Sequence, residues 1–283
     1  MKNIASVSVH GGHSGQFCLH ATNTLEEIIQ QYIVKQFPWV GITEHAPGIS
    51  LELLYPDQRA AGLTPEFLLH RFSLYMTECR RLQEKYRSQI RIFAAVESET
   101  YSGYKEFMPY LITTFQPDYV VGSVHFVDDR GFDYSKEQYD LTAEAVGGKD
   151  ELYCRFFDLQ YEMIQFLRPA VVGHFDLIRI FDDNYKARLL HPEIMTRIKR
   201  NLALIKELDL IMDFNLRSLL KGADEPYISR VILEIARDMG VAVVPGDDSH
   251  GVGNVGANMA KGIEILEELG FNTTWPEPQL LHY

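Results

Sequence analysis

The chain has 283 residues, and 39 acidic against 27 basic side chains give a net charge of −12 with histidine neutral, a balance that disfavours binding along a nucleic-acid backbone. With 46% hydrophobic and 23% charged residues and no apolar run near ~18 residues, the sequence reads as an ordinary soluble protein with no membrane span. The first residues lack an apolar stretch of signal-peptide length, and Cys18, Cys79 and Cys154 form no C-x-x-C pair, so a reducing, cytoplasmic setting is expected.

A short β-branched run over residues 4–9 predicts a first strand, followed by His10 and His13. Thr24 with Glu27 three residues on is a capping box, and Ile28, Ile29, Tyr32 and Ile33 give its helix an apolar stripe. Residues 39–43 predict a second strand, ending in Glu44 and His45; residues 49–63 read as a long loop or insertion. Thr64-Pro65 opens a helix running towards Tyr86. A third strand over 90–96 leads to Glu97 and Glu99, and a fourth over 119–124 leads to His125.

Residues 128–148 read as a second long loop, before a helix over 151–167. A fifth strand, 170–173, ends in His174 and Asp176; a helix over 192–208 follows, then a sixth strand, 210–214, ending in Asn215. Asp224 and Pro226 start a helix whose residues Ile228, Val231, Ile232, Ile235 and Met239 keep helical spacing up to Gly240. The seventh strand, 241–245, precedes Asp247, Asp248 and His250, and a last helix covers 255–269.

Strand and helix alternate without a long linker, so the fold class is α/β with a parallel sheet, wound either into a barrel or into an open doubly wound sheet. A length of 283 allows two domains or one α/β barrel. In a barrel the polar residues after the strands share one catalytic face. Six of the residues so placed are histidines, His10, His13, His45, His125, His174 and His250. Imidazoles mixed with carboxylates, without paired cysteines, suit zinc, manganese or iron better than a zinc–thiolate site. The histidines exceed what one tetrahedral ion can use, so two or three divalent ions are expected, with Glu97 bridging a pair. Two ions about 3.5–4 Å apart can clamp an in-line displacement and acidify a shared water, which makes metal-activated hydrolysis the expected reaction class.

The segments His-Gly-Gly-His-Ser-Gly-Gln-Phe-Cys-Leu-His-Ala (10–21), Gly-Ile-Thr-Glu-His-Ala-Pro (41–47), Val-Glu-Ser-Glu (96–99), Gly-Ser-Val-His (122–125), Val-Gly-His-Phe-Asp-Leu-Ile (172–178) and Asp-Asp-Ser-His (247–250) resemble the polymerase and histidinol phosphatase (PHP) family. The similarity runs in consistent order over nearly the whole chain. It implies a distorted TIM-like (β/α)7 barrel forming a single domain over 1–283. It also implies that His10, His13, Glu97, His125, His174 and Asp248 hold paired metals, and His20, His45 and His250 a third. The family usually begins with His-x-His, whereas here the spacing is His10-x-x-His13; one extra residue reverses the side-chain face unless a turn compensates, as Gly11-Gly12 could.

The activity implied is hydrolysis of a small phosphomonoester, L-histidinol phosphate, with Glu97, Asp248 and His250 as the catalytic groups. Arg179 and Arg217 are expected to assist the phosphate, while Glu99 and Asp176 would receive the ammonium and imidazole of histidinol. No nucleic-acid partner is expected, and oligomeric state is left open. Competing readings are a related phosphoesterase acting on another small phosphate, an amidohydrolase-like barrel, and a metal-binding protein without turnover. His70, His191 and His282 are expected in surface or capping roles, and Cys18 in packing near the site.

Overall fold

The computed structural model describes residues 4–283. Six parallel strands, hydrogen-bonded in chain order, form one curled sheet: β1 (Trp39–His45), β2 (Arg91–Glu97), β3 (Val120–Gly122), β6 (Val171–Val172), β7 (Ile211–Asn215) and β8 (Ala242–Gly246). A small antiparallel hairpin, β4 (Phe126–Val127) with β5 (Arg130–Gly131), lies outside it.

The predicted first strand is reduced to a narrow seam. Ser8 pairs in parallel with Val40, Gly41 N–H donates to the Ser8 carbonyl at 2.8 Å, and Val9 N–H donates to the Pro245 carbonyl at 3.0 Å. This segment touches both edge strands, β1 and β8, and so closes the sheet as the seventh member of a barrel. Residues 4–7 themselves make no strand. The Tyr119 hydroxyl crosses the interior to the Val9 carbonyl at 2.5 Å and fastens the seam from inside.

Period-two alternation sorts the strand residues into two cores. Val7, Val9, Trp39, Phe93, Ala95, Tyr119, Val121, Val171, Ile211 and Val244 fill the barrel. Their neighbours, among them Val40, Ile42, Ile92, Ala94, Val120, Val172, Met212 and Val243, face the helices. Carried two residues further along the strand, the inward set reaches Glu97 on β2 and Asp213 on β7. The same alternation that builds the apolar interior therefore delivers carboxylates to its C-terminal mouth.

Thr24 accepts from Glu27 N–H and Glu27 reaches back to the Thr24 backbone, capping the helix Leu25–Val34 as expected. Thr64 caps Pro65–Tyr86, and Lys149–Leu167 and Pro192–Glu207 fall within a few residues of prediction. Three segments differ. The expected loop 128–148 holds a full helix, Lys136–Val146, capped by Ser135 and stopped by Gly147 with φ +105°. A further helix, Tyr104–Phe115, carries Pro109 inside it, which masked its periodicity. The helix expected from Asp224 begins only at Arg230. Residues 225–227 are occupied elsewhere, since the Glu225 and Pro226 carbonyls bind Arg179 and Tyr227 pairs with Asn215. Among the described residues no helix is long and apolar enough to cross a membrane.

Candidate metal centre

Glu97, at the end of β2, is buried with histidines on both sides. Its Oε2 lies 3.1 Å from His45 Nδ1, 3.5 Å from His10 Nε2 and 3.9 Å from His13 Nε2. Its Oε1 lies 2.9 Å from His174 Nε2 and 3.4 Å from His125 Nε2. One carboxylate is thus shared by two ligand groups, His10–His13–Glu97 and Glu97–His125–His174. Asp248 Oδ1 stands 3.4 Å from His13 Nε2 and 3.5 Å from His250 Nδ1. A further group joins His13, His45 and His250 with Cys18, and another joins His45 and His125 with Glu99.

Hydrogen bonding alone leaves this cluster unsatisfied. His10 Nε2, both ring nitrogens of His13, His45 Nδ1 and His174 Nδ1 are buried without a hydrogen-bond partner. His125 Nε2 and His174 Nε2 face each other at 3.2 Å. Orphaned buried nitrogens are uncommon and need a partner. Nitrogens converging with a carboxylate are what divalent cations such as zinc coordinate, so the residues present fit a metal cluster.

The electrostatics agree. Burial alone would depress the His10 imidazole, but Glu97, Asp248 and Asp213 outweigh it and hold it well above its ordinary value. His45 is pushed up to about 10 on the same balance, burial opposed by Glu97 and Glu99. Burial would raise Glu97 and Asp248, yet the surrounding histidines keep both well below the usual carboxylate range. His250 goes the other way, lowered by burial and by neighbouring His13. The centre of the cluster is a place where positive charge is stabilised.

Local sequence explains how the ligands are held. A Cβ on Gly11 would sit 2.2 Å from the Gly41 carbonyl oxygen, and one on Gly12 would sit 2.7 Å from Ile28 Cγ2. The two glycines let the backbone press against β1 and the first helix, so that His10 and His13 both face Glu97 despite the extra residue between them. His13 N–H donates to the Ser249 carbonyl at 2.7 Å, and Asp248 N–H to the His10 carbonyl at 2.9 Å. Glu44 accepts from Ser14 N–H, and Asp247 is spent on Ser8, Tyr32 and Gly256 N–H. Asp213 is the residue that sequence reasoning missed. Its Oδ2 accepts from His10 Nδ1 at 2.9 Å, His174 N–H at 3.2 Å and Asn215 Nδ2 at 3.0 Å, which leaves His10 Nε2 free to face Glu97.

The cluster forms the floor of a cavity of about 760 Å³, walled by Tyr55, Tyr134, Phe181 and Tyr227 and by the charged side chains of Asp57, Asp133, Arg217 and Lys221.

The PHP domain family matches residues 11–216. The chain belongs to that family. A probable histidinol-phosphatase of Schizosaccharomyces pombe is 35% identical to this PHP protein, over 94% of this chain and 88% of the relative. The histidinol-phosphatase of Saccharomyces cerevisiae is 27% identical, over 87% and 84%. Among solved structures, HisK of Listeria monocytogenes superposes with a TM-score of 0.80 at 24% identity, covering 90% of this chain and 99% of that one. A histidinol phosphate phosphatase of Lactococcus lactis, complexed with zinc, L-histidinol and phosphate, gives 0.71 at 18% identity, covering 94% of each chain. The likeness in fold agrees with the closed parallel sheet described above.

Of the nine ligands expected in this PHP protein, His45, Glu97, His125, His174, Asp248 and His250 line the floor of the cavity, and His10 and His13 are fully buried against Glu97 behind it. His20 stands at its rim, its ring stacked 5.0 Å from that of His250, with Nε2 3.2 Å from Cys18 Sγ and Nδ1 3.6 Å from Asp57. Cys18, expected to pack near the site, has a thiol that could join His13, His45 and His250 around an ion, while the His20 ring lies beside those of His45 and His250 at 5.7 and 5.0 Å.

Three substrate contacts need correction. Arg179 is buried, donating Nη2 to the Glu225 and Pro226 carbonyls at 2.9 and 2.7 Å, with Nε 3.2 Å from Asp176. Asp176, in turn, accepts from the Ser229 backbone and hydroxyl. The two pair in the interior, with Asp176 Oδ1 and Arg179 Nε left without a hydrogen-bond partner, and neither lines the cavity. Glu99 is taken by His125 Nδ1 at 2.8 Å and the Tyr55 hydroxyl at 2.9 Å. Arg217 does line the cavity, with Nη1 bound to the Asp248 carbonyl at 3.0 Å, and it is joined there by Lys221.

Proposed function

We propose that this protein is a phosphomonoesterase that hydrolyses L-histidinol phosphate to L-histidinol and phosphate on a cluster of two or three zinc, manganese or iron ions. The observation that carries this is Glu97, one carboxylate shared between two sets of histidines, with His10 Nε2 and both ring nitrogens of His13 buried beside it without a hydrogen-bond partner. The curated relatives named histidinol-phosphatase, and the L-histidinol and phosphate in the Lactococcus lactis structure, support the substrate.

His10, His13, Glu97, His125, His174 and Asp248 would hold the paired ions, and His45 and His250, with His20 or Cys18, a third. Bound there, the ions neutralise phosphate oxygens and acidify water near phosphorus. The protein's own groups do the remaining work. Asp213 fixes the His10 ring. Arg217, held on the Asp248 carbonyl, brings positive charge to the side of the cavity where Asp248 lies, and so orients the phosphate. Water oxygen attacks phosphorus, the bond from phosphorus to the histidinol oxygen breaks, and one proton leaves the water while one reaches the leaving alkoxide. Asp248, whose carboxylate reaches the cavity surface, is placed to pass a proton between the water and the leaving oxygen.

The test is to strip the protein of metal, restore zinc, manganese and iron in turn, and measure phosphate release from L-histidinol phosphate, nucleotides and sugar phosphates. Strong preference for L-histidinol phosphate, abolished by chelation, is expected. Metal-dependent turnover of other phosphates alone would remove the substrate assignment; bound metal with no turnover would remove the activity.

A further inference from the structure

We infer that Asp133 is the receptor for the cationic end of the substrate, and that it makes this site selective for phosphate monoesters bearing an ammonium or imidazolium group. The inference rests on the phosphomonoesterase reading above and assigns the part of the site which that reading leaves open.

Four acids line the cavity: Asp57, Glu97, Asp133 and Asp248. Glu97 and Asp248 face the histidines, and cations in the cluster would engage them further. Asp57 accepts from Gln58 N–H at 2.8 Å through Oδ1, and its Oδ2 faces His20 Nδ1 at 3.6 Å. Glu99 is engaged by His125 and Tyr55, and Asp176, although its Oδ1 has no partner, is wholly buried and does not line the cavity. Asp133 is left. Its Oδ1 is buried with no hydrogen-bond partner, and among the described residues it forms no ion pair. A desolvated carboxylate oxygen without a donor is costly, and a ligand that brings an N–H⁺ removes that cost.

Its surroundings suit such a ligand. Tyr55, Tyr134 and Tyr227 line the same cavity and offer aromatic surface to a cation. Arg217, which donates to the Asp248 carbonyl, supplies positive charge beside the cluster for the phosphate, while Lys221 stands within electrostatic range of both Asp133 and Asp248. Asp133 stands in the turn between β5 and the helix Lys136–Val146. Selectivity would therefore lie on a segment outside the barrel strands, whereas the reacting groups sit on the strand ends.

Wild-type protein and Asp133→Asn, both loaded with metal, would be compared on L-histidinol phosphate and on 4-nitrophenyl phosphate, which has no cationic group. Losing one charge-assisted hydrogen bond should lower kcat/KM for L-histidinol phosphate relative to the aryl ester by about 10- to 100-fold, mostly through KM. Inhibition of aryl phosphate hydrolysis by L-histidinol should weaken by a similar factor, and Asp133→Glu should recover part of both. An unchanged ratio of the two substrates, or an equal loss on both, would overturn the assignment. If wild type ignores L-histidinol phosphate but hydrolyses other monoesters, the substrate reading fails by itself. The same two proteins on phosphoethanolamine and glycerol phosphate then decide Asp133: selectivity for the amine that vanishes in Asp133→Asn supports it, and no selectivity refutes it.

Discussion

Replacing Asp213 with asparagine would isolate the contribution of one buried charge to the metal centre. Three donors converge on Asp213 Oδ2, from His10, His174 and Asn215. Only an acceptor satisfies them, so in Asp213→Asn the amide oxygen should take that position and the NH2 group the place of Oδ1, beside Gly246. The geometry is kept and the charge is lost. A hydrogen bond to a charged group is worth about 1.5–3 kcal/mol and a neutral one about 0.5–1.5, so His10 should lose about 1–1.5 kcal/mol of support as a neutral, oriented ligand. At 1.4 kcal/mol per factor of ten, that is roughly tenfold in metal affinity, at the low end of the 10–100-fold found for residues that orient metal ligands. Competition for zinc or manganese between the apoprotein and a chromophoric chelator measures it directly, and saturating metal should restore most of kcat. Affinity within twofold of wild type would refute the argument that Asp213 acts through His10.

Gly246→Ala should damage the same centre from the other side, because the new Cβ would lie 2.0 Å from Asp213 Oδ1 and 3.0 Å from His10 Cβ; metal content per folded chain should fall well below wild type. Arg179→Leu should act on stability rather than on substrate. It strands Asp176, and a loss of about 3–5 kcal/mol in urea unfolding is expected with KM for the phosphate substrate little changed; a raised KM at wild-type stability would restore Arg179 to phosphate binding. Burial already raises the Asp176 carboxyl and Arg179 opposes that rise, so without the arginine the folded-state value climbs further above the unfolded one. The deficit should be small at acid pH and grow as pH rises towards neutral. His10, His45 and His125 are raised by their carboxylate neighbours, so metal must displace protons there; uptake at pH 7 should release protons into weakly buffered solution and affinity should weaken as pH falls. Uptake without proton release would place the ions elsewhere.

Much of the barrel was legible because strand runs and strand-end residues sit next to each other in sequence. The run ending in Val96 and the carboxylate of Glu97 belong to one alternating strand, so reading the strand led to the residue at the centre of the histidine cluster. Asp213 lies inside a predicted strand, where a lone carboxylate between Met212 and Phe214 gave no local sign that its partner was 203 residues away at His10. Arg179 and Asp176 misled for a related reason. Their position after a strand resembled that of the ligands, but a spacing of three let them pair with each other, and sequence does not show that a charge is already satisfied. Cys18 had no charged neighbour in sequence, and its place among the histidines depends on how the 14–21 loop folds back. The helix Lys136–Val146 was missed because glycines and acids at both ends of the segment imitate a loop.

The seam between Val9 and Pro245 also governs when the site can exist. His10 and His13 emerge first during synthesis, but their backbone partners, Asp248 and Ser249, are separated from them by almost the entire chain. A ribosome extends the chain by roughly 5–20 residues each second, so the early histidines wait many seconds without the strand that orders them. Until β8 docks, they can hold a cation only loosely, as any flexible histidine pair would. Selection of an ion at this cluster would therefore wait for the closing of the barrel, and an ion bound tightly there would tie the turn at His10–His13 to the last strand.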